Sequence, residues 1–190
     1  MKYRRANVKG GTYFFTVVTF KRRKIFAKPE NVALLRCAIK KVRQKHPFEI
    51  DAFVLLPDHL HCIWTLPQQD SDFSTRWRLI KSYFSRNFNH GHVGWVEERN
   101  PTKNGHSASR QKKKEKSIWQ RRFWEHLILD QKDLNRHIEY IHFNPVKHGL
   151  TKAPVDWAYS SLHRYVSNGI YNPDWGAGVN VEFDAAVGYE

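Results

Sequence analysis

The sequence has little of what would cross-link a small protein or hold it in a membrane. It contains two cysteines, Cys37 and Cys62, far apart and in no CxxC pair. That excludes a disulfide framework, a zinc-knuckle spacing and a dithiol redox motif, and it points to a reducing cytoplasm. No apolar stretch approaches the ~20 residues of a transmembrane helix. No long basic amphipathic helix with a clean apolar face is present to lie on anionic lipid, so no membrane is expected as a partner. The apolar run after the basic start ends in Lys21-Arg22-Arg23-Lys24 without a small-residue cleavage site, and it reads as a strand, not a signal. Acidic residues are scarce as well: 18 Asp and Glu stand against 32 Lys and Arg, a formal charge of +14.

Aromatic and basic residues fill the space that these absences leave. Aromatics make up 14% of the 190 residues, with seven Trp and twelve Phe, and 41% of the chain is hydrophobic. A disordered polycation has no such content, so a packed domain with a basic surface is the remaining class, and its charge suggests a polyanionic partner.

Thr12 to Phe20 is dense in β-branched and aromatic residues behind Gly10-Gly11 and predicts a strand. Val32, Leu35, Ile39 and Val42 recur at helical spacing between Pro29 and Pro47. Phe48 to Leu56 and His59 to Leu66 are β-like runs joined by Leu56-Pro57-Asp58, a tight connection that pairs them antiparallel, with Asp58 read as a turn residue. Trp77, Ile80, Phe84 and Phe88 give a second, basic helix. Periodicity then disappears from about residue 91 to 117, a basic loop containing Arg110 to Lys116. Ile118 to Leu129 favours β structure, and Lys132 to Phe143 looks helical, with Pro145 expected to end it. The order β-α-β-β-α-β-α is that of an α+β, ferredoxin-like antiparallel sheet with helices packed on it, plus one additional helix. Residues 1–165 read as one domain, and 166–190 as a C-terminal tail.

His59-Leu60-His61 carries the sharpest chemical signal. Alternate residues of a strand share a face, so the two imidazoles project together about 6.6 Å apart at Cα while Leu60, Cys62 and Trp64 turn the other way. Such a pair can chelate one cation or hydrogen-bond on a surface strand. As ligands, two histidines leave most coordination positions open, which suits a catalytic Mg²⁺ or Mn²⁺ better than a closed zinc site. A second group follows in RHIEYIHFNPVKHG, Arg136 to Gly149. In a helix Tyr140 and Asn144 are one turn apart on one face, with Arg136 and His137 a turn earlier. That arrangement groups a hydroxyl, an amide and a cation; equally, Asn144 ends a helix and Tyr140 packs in a core.

Taken together, the His-hydrophobic-His motif and Tyr140-Ile141-His142-Phe143-Asn144-Pro145-Val146-Lys147-His148-Gly149 resemble the single-tyrosine transposases of the REP-associated branch. Tyr3-Arg4-Arg5, Gly11 to Thr16, Leu56-Pro57-Asp58-His59 and Trp119 to His126 sit in the expected order, and the resemblance covers roughly residues 2 to 165. It implies a ferredoxin-like enzyme, cytoplasmic in a bacterium and acting at the nucleoid, that cuts single-stranded DNA at hairpins of repetitive extragenic palindromes. It implies a 5′-phosphotyrosine on Tyr140, a free 3′ hydroxyl, and a divalent metal on His59 and His61. Asn144 stands where relatives place a third, amide ligand, Gln in some of them. Related enzymes work as monomers or homodimers.

The substrate would be gripped by a positive groove with aromatic stacking. Candidate contacts are Tyr3, Arg4, Arg5, Arg78, Lys81, Arg121, Arg122, Arg136 and Lys147. By resemblance, Tyr3-Arg4-Arg5 reads a short tetranucleotide at the hairpin foot. Arg121-Arg122, between Trp119 and Phe123-Trp124, is the favoured pair, although those aromatics equally suit a core. Two other readings remain: a binder of structured DNA or RNA without cleavage, and a metal-dependent phosphoesterase in which water attacks and no covalent intermediate forms.

Overall fold

A computed structural model of the chain describes residues 7–88 and 118–178. Tyr3, Arg4, Arg5, the basic loop and the last twelve residues lie outside the described residues. Four strands form one antiparallel sheet among the described residues: β1 (Thr12–Val18), β2 (Glu49–Leu55), β3 (His59–Thr65) and β4 (Trp124–Leu127), in the order β2-β3-β1-β4. Helices α1 (Pro29–Lys45), α2 (Phe73–Asn87) and α3 (Gln131–Lys147) alternate with them, which gives the expected ferredoxin-like arrangement and the additional helix. A short α4 (Leu162–Ser167) follows, in a stretch where the sequence had little pattern.

Strand alternation divides the core into two faces. Phe15, Leu60, Cys62 and Trp64 pack with Leu35 of α1 and Trp77 and Phe84 of α2. Phe14, Ala52, Val54 and Ile63 pack on the other face with Ile138, Tyr140 and Ile141 of α3. Each helix start is fixed locally. Pro29 occupies the first turn of α1, Asp72 accepts from the Thr75 backbone N–H at 2.8 Å, and Asp130 accepts from that of Asp133 at 2.8 Å. The open edge of β2 is covered by a strap in which Leu55 N–H donates to Tyr159 O and Ser161 N–H to Phe53 O.

Two expectations are corrected. Only Trp124–Leu127 of the β-favouring run is a strand, because Ile118 and Trp119 are buried in the α1/α2 core ahead of it. Pro145 does not end α3, which continues to Lys147. Proline removes a hydrogen bond to the carbonyl four residues earlier and costs about 3 kcal/mol in a helix interior. Here Ile141, His142, Phe143, Asn144 and Pro145 are all buried, and that packing outweighs the loss. Gly149 supplies the stop instead: its φ of 65° is left-handed, and Gly149 N–H and Leu150 N–H donate to Val146 O and Pro145 O. The extra turn matters because it keeps Asn144 inside the helix and brings Lys147 back to the face of Tyr140.

Candidate active site

β3 and α3 bring the two sequence motifs together. His59 and His61 stand on the β3 face toward α3, their ring centroids 4.9 Å apart and both side chains buried. The Tyr140 ring meets His61 edge-on at 5.3 Å and Phe14 at 6.1 Å. The imidazole of His148, at the C-terminal cap of α3, lies 5.1 Å from that of His59.

Both rings are oriented from behind. His59 Nδ1 donates to Asp58 Oδ1 at 2.6 Å, and His61 Nδ1 shares a 2.9 Å hydrogen bond with Thr16 Oγ1. With Nδ1 occupied in each ring, Nε2 is the nitrogen that can ligate, the usual arrangement behind metal-binding histidines. Two imidazoles so placed fit a divalent cation with open positions, and Asn144 follows Tyr140 by one turn of α3. Asp58 is thus more than the turn residue the sequence suggested. Burial raises its pKa, but the hydrogen bond and charge of His59 and the charge of Arg22 prevail and hold it below the usual carboxylate range. Arg22 reaches Asp58 at 3.4 Å from a turn in which Lys21 and Arg22 have φ of 54° and 49°. Asp58 could have been found, since it directly precedes the pair; Thr16 comes into place only through the β1–β3 register, opposite His61.

The remaining cations divide. Lys147 Nζ donates to Tyr140 Oη at 3.2 Å and lies 4.7 Å from the ring centroid. Arg136, half exposed, pairs with Asp133 at 3.7 Å. Arg78 and Lys81 are on α2, across the sheet from Tyr140, and Lys81 donates to Gln120 O at 3.1 Å. Arg121 and Arg122 are exposed next to that carbonyl. Trp119 is buried in the α1/α2 core and Phe123 packs against it, which is the second of the two roles the sequence allowed those rings.

A second histidine group was not singled out by sequence. His126 Nε2 meets Asp133 Oδ2 at 2.8 Å and His137 Nδ1 meets Asp133 Oδ1 at 3.0 Å. The three residues bring ligand atoms within 4.8 Å of one another, so they too could hold a cation. Asp133 is heavily used already, since Oδ2 also accepts from Leu129 N–H at 3.0 Å. Burial raises its pKa, and the bonds from His126 and Leu129, with the charges of His126 and His137, bring it below the usual value. His137 is shifted down because burial opposes its charge. The group clamps β4 to the first turns of α3.

Residues 7–144 match the IS200-like transposase family. The REP-associated tyrosine transposase of Escherichia coli (strain K12) is 45% identical over 184 residues, spanning 97% of this chain and 95% of that protein. The chain belongs to this transposase family, in its REP-associated tyrosine branch. A relative from Haemophilus influenzae (strain ATCC 51907 / DSM 11121 / KW20 / Rd) is 43% identical over 185 residues, spanning 97% of this chain and 98% of its own. A solved structure of a REP-associated tyrosine transposase bound to a REP hairpin superposes with a TM-score of 0.76 at 42% identity, covering 100% of this chain and 98% of that one. A transposase is an enzyme of DNA recombination, which accords with the +14 charge. Among the described residues no helix is long and apolar enough to cross a membrane.

Proposed function

We propose that this transposase cuts and rejoins single-stranded DNA at hairpins of repetitive extragenic palindromes, with Tyr140 as the nucleophile. The observation that carries the reading is the packing of Tyr140 against His61, which joins a hydroxyl on α3 to the paired imidazoles of β3. The hairpin comes from the relative solved with one. A phenol has a pKa near 10, so the phenolate at pH 7 lies about 4 kcal/mol uphill. A divalent cation held by His59 and His61, with Asn144 as third ligand, would neutralise phosphate oxygens and lower that barrier. Tyr140 Oη attacks the phosphorus, the 3′ oxygen leaves, and the phosphotyrosine conserves the bond for a later 3′ hydroxyl. Arg136, with Tyr3, Arg4, Arg5, Arg78, Lys81, Arg121 and Arg122, serves DNA binding, and the cytoplasm supplies Mg²⁺ or Mn²⁺.

The test is a labelled hairpin oligonucleotide with Mn²⁺, run on a denaturing gel for wild type and Tyr140→Phe. The expected result is a covalent adduct from the wild type and none from the variant, with hairpin binding retained. A mobility shift without cleavage would make the protein a binder, and cleavage without an adduct would make it a phosphoesterase.

A further inference from the structure

Lys147 enters the sequence pattern as one more cation for the DNA backbone, yet its head group is committed inward. The residue is exposed on the last turn of α3, but Nζ lies 3.2 Å from Tyr140 Oη and 4.7 Å from the ring centroid. It reaches that position because α3 runs through Pro145, so Tyr140 and Lys147 lie two turns apart on one face. A bond from an ammonium to a neutral phenol is modest, and ordering a lysine side chain opposes it. Once Oη is anionic the same contact is an ion pair, with a Coulomb attraction that the neutral phenol lacks. The contact therefore strengthens as Oη gains negative charge, which is the condition for an interaction to accelerate a reaction and not merely to bind.

We infer that Lys147 is a catalytic residue whose ammonium stabilises the charge on Tyr140 Oη in both directions of strand transfer. This rests on Tyr140 being the nucleophile. In cleavage the Oη–P bond forms and the P–O3′ bond breaks; the phenol proton passes to solvent and the leaving 3′ oxygen takes one up. In joining, a DNA 3′ hydroxyl gives its proton to solvent and attacks, the P–Oη bond breaks, and the phenolate leaves. Lys147 keeps its protons in both steps and donates one N–H to Oη, so no other reactant is consumed.

The experiment compares full-length wild type, Lys147→Met and Lys147→Arg in Mn²⁺. It measures single-turnover adduct formation and rejoining at saturating hairpin, together with hairpin affinity and its salt dependence. Lys147→Met is expected to slow both reactions about 100-fold, the low end of losing one transition-state donor, with affinity within about twofold. Lys147→Arg, which keeps charge and donors, should recover at least tenfold of that loss. If Lys147→Met reacts at the wild-type rate and only weakens binding with a shallower salt slope, the residue is a phosphate contact and the inference falls alone. If the wild type forms no adduct, the nucleophile assignment falls and takes this inference with it.

Discussion

Toward the C-terminal half of α3, His59 and His61 rest Nδ1 on the oxygens of Asp58 and Thr16, facing Tyr140. At its N-terminal end, His126 and His137 converge on the two oxygens of one carboxylate, Asp133. Both groups bridge the sheet and the helix, and both have the residue types of a metal site. They differ in where the acceptor stands. An oxygen behind each ring fixes the ring and keeps its other nitrogen available for chemistry. A carboxylate between two rings bonds His126 and pairs with His137, whose Nδ1 also meets the Asp133 carbonyl at 2.9 Å, and it draws two elements together. On the proposed function the first group would hold the cation and the second would act as a clamp, although both carry ligand types of a metal site.

The sharpest way to break this comparison is to remove one side chain from each group. His61→Ala should lower adduct formation in Mn²⁺ by about 1,000-fold, roughly 4 kcal/mol, a loss beyond the stability cost of removing a fully buried ring. Loss of stability without loss of the reaction would reverse the two roles. Asp133→Ala should do the opposite, costing about 2–3 kcal/mol of stability by leaving buried partners unsatisfied. Protein that remains folded should still form the adduct within about tenfold of wild type. Isothermal titration with Mn²⁺ adds a direct check, since binding should survive Asp133→Ala and be lost in His61→Ala.

Asp58→Asn tests the acceptor behind the ring. It should weaken the metal dependence of cleavage about 10- to 100-fold with no change in fold, measured as the Mn²⁺ concentration giving half-maximal rate. An unchanged value would return Asp58 to a turn residue.

Acid provides the smallest effect per step. His137 titrates lower in the folded protein than in the unfolded chain, and burial carries His142 down to about 3. Below about pH 6.5 the unfolded chain binds protons that these buried rings refuse, so stability falls with pH by up to about 1.4 kcal/mol per unit for each group. Asp133, also shifted down, contributes stability that is complete above about pH 3.9 and is lost as pH falls through its folded value. Urea midpoints between pH 7.5 and 3 should therefore decline in two windows. Asp133→Asn should flatten the lower window only; a flattened upper window would separate the clamp from its carboxylate.

Much of this comparison could be read along the chain, and the part that could not has a common cause. Strand alternation put His59 and His61 on one face with Cys62 and Trp64 on the other, as β3 has them. Helical spacing put Tyr140 and Asn144 on one side of α3. The reading failed where long-range packing overrode a local rule. Pro145 looked like a stop, and only the burial of Ile141 to Pro145 explains why it is not. Thr16 meets His61 through a strand register that no local pattern announces. The clamp joins His126 on one element to Asp133 and His137 on the next, and the three share no face of a single helix or strand. The bond from Lys147 to Tyr140 likewise depends on a helix that runs past its expected end.

The most direct test of the central claim is mass spectrometry of wild-type protein after reaction with hairpin DNA and Mn²⁺, followed by nuclease and trypsin digestion. The residual nucleotide should be attached to the peptide from His137 to Lys147, with fragmentation placing it on Tyr140. A nucleotide on another residue, or cleaved DNA with no modified peptide, would contradict the account.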